Sequence, residues 1–564
     1  MRVTATIFAP LLMGLTALAA ESKPNFVVIL TDDQDLRMNS MDYMPKLKKY
    51  VTDDGMFFNH HYATVALCCP SRASMWTGRA AHNTNVTDLG PPHGGFPKFI
   101  EEGLNKKWLP VWLQDAGYKT YFTGKLMNFH NVGNYKKGQD DMGLDGHDFM
   151  IEPGAYQYTN TTIQHNMEKP KSYPGVYATD LLANKSLAWI DKAAKDKSPF
   201  FLAINPINPH NNFNWNNGKT NWSAPIPAAR HKDKFQDAVV PRSTSSFNPD
   251  KPSGASWVKQ LKKLDSKTLK ENDDVYRRRL QALQAVDDMV ENTVAKLKEH
   301  NMLDNTYIIY TSDNGFHISQ HRLTPGKRCP YEEDVNVPLV IRGPGVPKSK
   351  TVDFVTSHLD IAPTIVNWAG AKGPGDFDGK KIPANGSPGS EEPWEHVQVE
   401  HWGEVSSHVN SPLSGVINSY KAIRVIGPKY NLYYAVWCQG DHEVYDMIND
   451  PYQMKNLYNS TSKILGVSMQ KVEDRLDALT LVTKSCKGDT CRRPWETLHP
   501  DGKVKSLVEA LSPKFDSFYK KQNKVAYKKC LKEPNLKNES PIKFHTLGEQ
   551  TIDARDLDGW MNIG

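Results

Sequence analysis

The chain of 564 residues lacks the marks of several large protein classes. It has no long basic run, and a formal charge of +6 is small for this length, so nucleic acid is not an expected partner. After the first residues, no apolar stretch approaches the length of a transmembrane helix, and the ending DLDGWMNIG lacks a lipid-anchor tail. No stable membrane insertion is therefore expected. No internal repeat is found, and an aromatic content of 10% argues against disorder, which leaves a globular protein of two or more domains.

The N-terminus predicts the compartment. Residues 1–20 combine Arg2, a short apolar stretch and small residues, as in a secretory signal peptide. The expected location is therefore extracellular or in the cell wall. Five Asn-x-Ser/Thr sites without a following proline are expected to carry glycans: Asn85, Asn160, Asn184, Asn221 and Asn459.

Cysteine is scarce, and its count of seven is odd. In an oxidising compartment, cysteines are expected to pair. Cys486 and Cys491 close a short polar loop and predict a local disulfide. An odd number leaves one thiol without a partner.

Apolar runs of strand length alternate with helical patterns along the first two thirds of the chain. The runs are Asn25–Leu30, Tyr118–Phe122, Phe200–Ile204 and Tyr307–Tyr310. Apolar residues at three- or four-residue spacing precede the last run, from Leu280 to Leu297. This alternation predicts an α/β fold with a mostly parallel sheet covered on both faces. Ligands of such sheets bind beyond the carboxyl ends of the strands.

The composition changes after residue 370, which predicts the domain boundaries. We expect a first, larger domain over 21–370, a linker rich in Gly, Pro and Ser over 371–393, and a smaller domain over 394–491. Two strand patterns around Gly427-Pro428-Lys429 predict an antiparallel sheet in the smaller domain. The polar, basic residues 492–564 are expected to form an appendage on the surface.

Polar residues follow two of the predicted strands directly. Asp32 and Asp33 end the first, and Asp313 and Asn314 end the fourth. Each pair alone is more typical of turns and helix caps. Together they offer three carboxylates and an amide oxygen, which are hard ligands suited to Ca²⁺ or Mg²⁺. Three carboxylates packed without a cation would be costly.

The second notable feature is the run Leu67-Cys68-Cys69-Pro70-Ser71-Arg72, followed by Thr77-Gly78-Arg79. Pro70 is tolerated in the first turn of a helix, which would place Cys68 at a helix N-terminus. The alternative is a buried thiol or half of a disulfide, which is the commoner state of a secreted cysteine.

The run Cys68-x-Pro-Ser-Arg72, with Thr77-Gly78-Arg79 behind it, resembles the signature of the type I sulfatases. The other motifs agree in order and spacing over roughly residues 24–370, and the variant is most similar to fungal arylsulfatases and N-acetylglucosamine-6-sulfatases. The resemblance implies an alkaline-phosphatase-like fold. It also implies that Cys68 is oxidised to formylglycine by a formylglycine-generating enzyme during secretion, which identifies the odd thiol.

The resemblance also implies the roles of site residues. One Ca²⁺ (Mg²⁺ less favoured) would be held by Asp32, Asp33, Asp313, Asn314 and formylglycine at position 68. Arg72 would hold the formylglycine and balance the carboxylates. Lys125, His210 and Lys327 would contact the sulfate. Either His210 or Lys327 would act as the general acid that protonates the leaving group. His317 is a candidate for the substrate pocket, although a surface or capping role is equally compatible with the sequence.

The implied reaction is arylsulfatase-type hydrolysis of a small-molecule or sugar sulfate ester. One hydroxyl of hydrated formylglycine attacks sulfur, giving a covalent sulfo-enzyme, and the other then expels sulfate. Where many sulfatases have Lys-x-His, this chain has Lys125-Leu126-Met127-Asn128, so Asn128 or His130 is expected to substitute. A phosphomonoesterase or phosphodiesterase of the same superfamily, or an inactive glycan-binding relative, are the competing functions.

Overall fold

A computed structural model describes residues 23–216, 219–389, 394–404, 406–407, 416–541, 543–548 and 550–553. The predicted signal peptide at 1–20 lies outside the described residues.

A sheet of ten strands forms the centre of the larger part of the molecule. Its strands are β1 (Asn25–Thr31), β2 (Met56–Phe58), β3 (Lys119–Lys125), β4 (Gly146–Met150), β5 (Asn160–His165), β6 (Lys171–Pro174), β7 (Phe200–Asn205), β8 (Thr306–Ser312), β9 (Leu339–Arg342) and β10 (Lys350–Val352). Their order across the sheet is β10-β2-β9-β8-β1-β7-β3-β4-β5-β6. The central five, from β8 to β4, pair in parallel, and antiparallel pairs occur only towards the two edges of this sheet.

The apolar runs became the buried central strands because both faces of the sheet are covered. Along β1, Phe26 and Val28 face one hydrophobic cluster, and Val27 and Ile29 face the other. Helices pack on the two faces: α1 (Cys68–Thr77), α2 (Leu109–Asp115), α3 (Ala178–Asp196), α4 (Ser266–Glu299) and α5 (Ile361–Trp368). α1, α2 and α5 contribute to the first cluster, and α3 and α4 contribute to the second.

A second, antiparallel sheet of four strands follows in the C-terminal part. Its strands, in spatial order, are β11 (His396–His401), β12 (Tyr420–Gly427), β13 (Tyr430–Trp437) and β14 (His442–Asp446). α6 (Met469–Thr483) packs on this sheet through a separate hydrophobic cluster. The predicted α/β class is confirmed, with a mostly parallel sheet between helices and a smaller antiparallel sheet after it.

Residues 371–389 contain no helix or strand. Phe377 and Ile382 of this segment are nevertheless buried in the cluster that covers one face of the large sheet. The described cysteines form two disulfides, Cys438–Cys530 and Cys486–Cys491, while Cys68, Cys69 and Cys329 are buried thiols. Among the described helices, none combines the length and the apolar character that a bilayer span requires.

Among the predicted glycan sites, Asn160, Asn184 and Asn459 are exposed and Asn85 is half-buried. The side chain of Asn221 lies outside the described part of the structure.

Candidate active site

The carboxyl ends of adjacent parallel strands bring the acidic residues together. β1 leads into Asp32 and Asp33, and the neighbouring β8 leads into Asp313 and Asn314. The backbone N–H of Asp33 donates to Asp313 Oδ1 at 3.0 Å, and Asn314 Nδ2 donates to Asp33 Oδ1 at 2.7 Å. The carboxylates of Asp32, Asp33 and Asp313 are buried and lie with Cys68 Sγ in one group, with ligand atoms within 4.8 Å of each other.

Cys68 is the first residue of α1 and points at these carboxylates. Its Sγ lies 3.3 Å from Asp32 Oδ1, and Lys327 Nζ donates to it at 2.7 Å. Burial, with Asp313 and Asp32 nearby, raises the pKa of the Cys68 thiol well above its ordinary value. Cys69 faces away into the core, where it accepts from the Gly95 N–H at 3.2 Å.

Arg72, one turn along α1, ties the helix to both strand ends. It has no exposed side-chain surface, and its Nε donates to Asp313 Oδ2 at 2.8 Å. Nη1 donates to the Lys125 carbonyl at 2.7 Å, and Nη2 is 3.5 Å from Asp32 Oδ2. Burial opposes the charge, but Asp313 and Asp32 raise the pKa of Arg72, so the guanidinium stays charged. Ser71 adds a hydrogen bond to the Asp313 carbonyl at 2.5 Å.

Two buried lysines neutralise the remaining carboxylate charge. Lys125 Nζ donates to Asp32 Oδ2 at 2.5 Å, and Lys327 Nζ contacts Asp33 Oδ1. Burial would lower both pKa values, but the pKa of Lys125 is raised by Asp32 and that of Lys327 by Asp33. Burial opposes the charge of Asp32, but Lys125, His210 and Arg72 lower its pKa to about 2. Gly124 makes the placement of Lys125 possible, since a Cβ there would lie 2.1 Å from the Asn205 carbonyl oxygen, and its φ is +104°.

His210 lies in the loop after β7 and packs beside the carboxylates of Asp32 and Asp33. Its Nε2 is 3.7 Å from Asp33 Oδ2, and its Nδ1 is 2.8 Å from the Asn211 carbonyl oxygen. Burial lowers the pKa of His210 despite the nearby Asp33 and Asp32.

The donor set fits a hard divalent cation. Asn314 Oδ1 is buried and has no hydrogen-bond partner among the described residues, as expected of an oxygen reserved for a ligand. Carboxylate oxygens of Asp32, Asp33 and Asp313 converge beside it. Oxygen donors of this kind favour Ca²⁺ or Mg²⁺ over zinc.

His317 lies next to this group but is engaged elsewhere. Its Nδ1 is 2.8 Å from Asp334 Oδ1, and its backbone pairs with Gly326, which precedes Lys327. Asp334 Oδ2 also accepts the backbone N–H of Cys329 at 2.8 Å. Together these bonds hold the loop that presents Lys327.

Of the two residues expected to replace the missing histidine, neither is bonded to Cys68. His130 is fully buried and stacks on Phe96 at 4.0 Å between ring centroids. Asn128 Nδ2 donates to the Tyr156 hydroxyl at 2.7 Å.

Two residues of the site, Tyr156 and Arg279, do not belong to any motif that could have been recognised in the sequence. The Tyr156 ring lies 4.8 Å from Lys125 Nζ and 4.6 Å, between centroids, from His210. Arg279 of α4 is buried and donates to the Asp33 carbonyl and, at 3.3 Å, to the Pro209 carbonyl. It therefore joins the loops after β1 and β7. In sequence, Arg279 is one of three consecutive arginines within a helical pattern, and nothing distinguishes it.

Comparisons with known proteins agree with this geometry. A model of the sulfatase family matches residues 24–371, and a model described as N-sulphoglucosamine sulphohydrolase, C-terminal, matches residues 320–480. An arylsulfatase of Volvox carteri is 38% identical over 563 residues, which cover 93% of this chain and 84% of that protein. The N-acetylglucosamine-6-sulfatase of Homo sapiens is 31% identical over 515 residues, which cover 86% and 88%.

Solved structures share the fold at low identity. A protein bound to D-glucosamine-2-N,6-O-disulfate matches with a TM-score of 0.60 and 22% identity over 78% of this chain and 94% of its own. A phosphonate monoester hydrolase from Silicibacter pomeroyi matches with a TM-score of 0.56 and 18% identity over 77% and 91%. The fold alone therefore does not separate sulfate from phosphonate chemistry. Because the family model spans more than half of the sequence and the resemblance noted at Cys68 is confirmed by these relatives, the chain belongs to the sulfatase family.

Proposed function

We propose that this protein is an arylsulfatase-type sulfuric ester hydrolase that cleaves sulfate monoesters after Cys68 has been converted to formylglycine. One observation carries the proposal: Cys68 at the start of α1 faces three buried carboxylates and three buried cationic side chains, all at the carboxyl ends of parallel strands. A thiol kept only for packing needs no such surroundings.

Two groups that are not among the twenty encoded side chains would complete the site: formylglycine, made from Cys68, and a bound cation. Hydrated formylglycine at position 68 would supply one hydroxyl for attack at sulfur and a second hydroxyl, whose loss of a proton would expel the sulfate as the aldehyde re-forms. A Ca²⁺ ion held by Asp32, Asp33, Asp313 and Asn314 would supply positive charge at the sulfate oxygens. A formylglycine-generating enzyme is the partner that this proposal requires.

The residues of the chain bind and orient the ester. Lys125 and Lys327 now neutralise Asp32 and Asp33, and a divalent cation on those carboxylates would release both ammonium groups for sulfate. Lys327 Nζ contacts both Asp33 Oδ1 and Cys68 Sγ, so it can donate to a sulfate oxygen or to the bridging oxygen of an ester bound there. His210, with its Nε2 facing Asp33, can donate to the same oxygens.

Charge balance explains why an anion would enter a buried site. Asp32, Asp33 and Asp313 carry three negative charges, and Arg72, Lys125 and Lys327 carry three positive charges. A divalent cation would leave the group with an excess of about two positive charges, which favours a bound anion and its transition state.

We also propose the secretory route, with one signal peptide and glycans at exposed sites. The two disulfides support it, since such bonds persist in oxidising compartments.

The test is turnover of p-nitrophenyl sulfate against p-nitrophenyl phosphate by protein from a host that makes formylglycine. We expect the sulfate to be preferred and Cys68→Ala to abolish turnover. Cys69→Ala is the matched control, because its Sγ faces the core and the variant should keep activity. Preference for the phosphate, or turnover by Cys68→Ala, would overturn the proposal and favour a phosphoesterase.

A further inference from the structure

Three aromatic rings extend from the candidate active site to the surface on the side of His210. The Tyr156 ring is 4.6 Å from the His210 ring, and the Trp222 ring is 6.0 Å from it, between centroids. Phe213 lies between the two, 6.3 Å from Tyr156 and 4.6 Å from Trp222. We call Tyr156, Phe213 and Trp222 the aromatic wall.

Exposure rises steadily along this wall. His210 is 3% exposed, Tyr156 is 7% exposed, Phe213 is partly buried, and Trp222 is 41% exposed. The wall therefore runs outward from the carboxylate group, and its inner end lies beside the residues proposed to bind sulfate. The alcohol part of a bound sulfate ester has to extend from the buried site towards solvent, and the aromatic wall offers one direction for it.

A β-hairpin holds two of the three rings of the aromatic wall in position. The strands Asn212–Asn216 and Lys219–Ser223 form a hairpin that starts two residues after His210. Phe213 and Trp222 are direct partners across it and meet edge to face at 72°. Aromatic pairs at facing positions stabilise one another, so Phe213 holds the Trp222 indole in place. The Tyr156 hydroxyl accepts a hydrogen bond from Asn128 Nδ2 at 2.7 Å, which holds the ring in position.

An exposed indole beside a buried anion site offers one kind of contact. Its flat apolar face gains by covering another flat apolar face, and stacked or edge-on rings are favoured beyond the area they bury. In an aryl sulfate the ring is joined directly to the bridging oxygen, so the ring is the first group outside the sulfate pocket. That is the level of His210 and the inner end of the wall.

We propose that the aromatic wall is the leaving-group subsite and that it selects sulfate esters of aromatic alcohols, with Trp222 as a binding residue. This inference rests on the proposed function, since it assigns the same site its substrate class.

Kinetics of Trp222→Ala on 4-methylumbelliferyl sulfate test the proposal. We expect KM to rise and kcat/KM to fall about tenfold, which corresponds to about 1.4 kcal/mol of lost binding. Trp222→Phe should restore most of the loss because it keeps a ring. Ile448→Ala, which removes another exposed apolar side chain (57% exposed) far along the chain, should leave the kinetics unchanged. Competitive inhibition by inorganic sulfate should be equal in all variants, since sulfate bound at Lys125 and His210 does not need Trp222.

D-Glucosamine 6-sulfate separates a pyranose ring from an aryl ring as the preferred leaving group. Loss of activity on this sugar in Trp222→Ala, with the aryl sulfate unaffected, would overturn the assignment. So would unchanged kinetics of Trp222→Ala on the aryl sulfate. Calorimetric titration with 4-methylumbelliferone needs no turnover, so it isolates the subsite from the proposed function. Binding by wild type but not by Trp222→Ala supports the wall even if no sulfate ester is hydrolysed, and equal binding contradicts it.

Discussion

Replacement of Arg72 by Met removes a buried side chain that joins α1 to the ends of β1 and β8. Three contacts are lost: the ion pair with Asp313 at 2.8 Å, the approach to Asp32 at 3.5 Å and the bond to the Lys125 carbonyl at 2.7 Å. Met has a similar length and no charge, so the change leaves the packing volume nearly intact.

The magnitude follows from burial. Arg72, Asp32 and Asp313 are all 0–1% exposed, so water cannot solvate the carboxylates left behind. Breaking a buried pair in this way costs about 3–5 kcal/mol. Arg475→Met is the matched control, because Arg475 is also buried but its partner Asp516 is 34% exposed. Water can solvate that carboxylate, and we expect a loss of about 1–2 kcal/mol, including the contact of Arg475 with the Tyr519 ring.

The assay is urea unfolding followed by tryptophan fluorescence, with chelator present so that no cation masks the loss. Arg72→Lys serves if Arg72→Met fails to fold, and it should lose less because one charge remains. Equal losses in Arg72→Met and Arg475→Met, or a loss below about 1 kcal/mol for Arg72→Met, would show that the buried carboxylates do not depend on Arg72.

Three further predictions follow from the site and its surroundings. Lys327→Met should lower kcat on p-nitrophenyl sulfate about 10²–10³-fold, while the exposed Lys348→Met should not, and equal kinetics would contradict the role of Lys327. Chelation should abolish turnover and Ca²⁺ should restore it; full activity in chelator would exclude the cation. Burial disfavours the imidazolium of His82, but Glu400 at 2.9 Å raises its pKa above 6.5. The ion pair between His82 and Glu400 therefore stabilises the fold fully below pH 6.5, and this contribution is lost as the pH rises through the raised pKa of His82. The free energy of unfolding should therefore fall over this range by more in wild type than in His82→Gln, and parallel pH profiles would contradict this.

The strands were predictable because burial on both faces leaves a continuous apolar run. Their ends were harder to place. The apolar run ends at Phe122, but β3 continues to Lys125, because Thr123, Gly124 and Lys125 still pair with β4 and, except for the last, with β7. Hydrogen bonds to neighbours on both sides, which sequence alone does not reveal, carry the strand past its last apolar residue.

The candidate site was predictable where residues follow strand ends or stand in a motif. Asp32, Asp313 and Cys68 are of this kind, and the structure brings them within 4.8 Å. Tyr156 and Trp222 were not predictable, because their contacts with His210 join distant segments and leave no periodic pattern. The edge strands were missed for a related reason: β6, Lys171–Pro174, is largely exposed and has no apolar run.

The loop of Lys327 shows the same limit. Asp334 organises it by accepting from Cys329 and binding His317, yet in sequence it is one of three adjacent acidic residues on a short helix, Glu332–Val335. Only the structure distinguishes Asp334 from its neighbours.

Mass spectrometry of the peptide that spans Leu67 to Arg72, from protein secreted by its own host, is the decisive test of formylglycine formation. We expect the residue at position 68 to have lost its sulfur and to carry an aldehyde, while Cys69 in the same peptide is unchanged. An intact thiol at Cys68 would contradict the proposed chemistry.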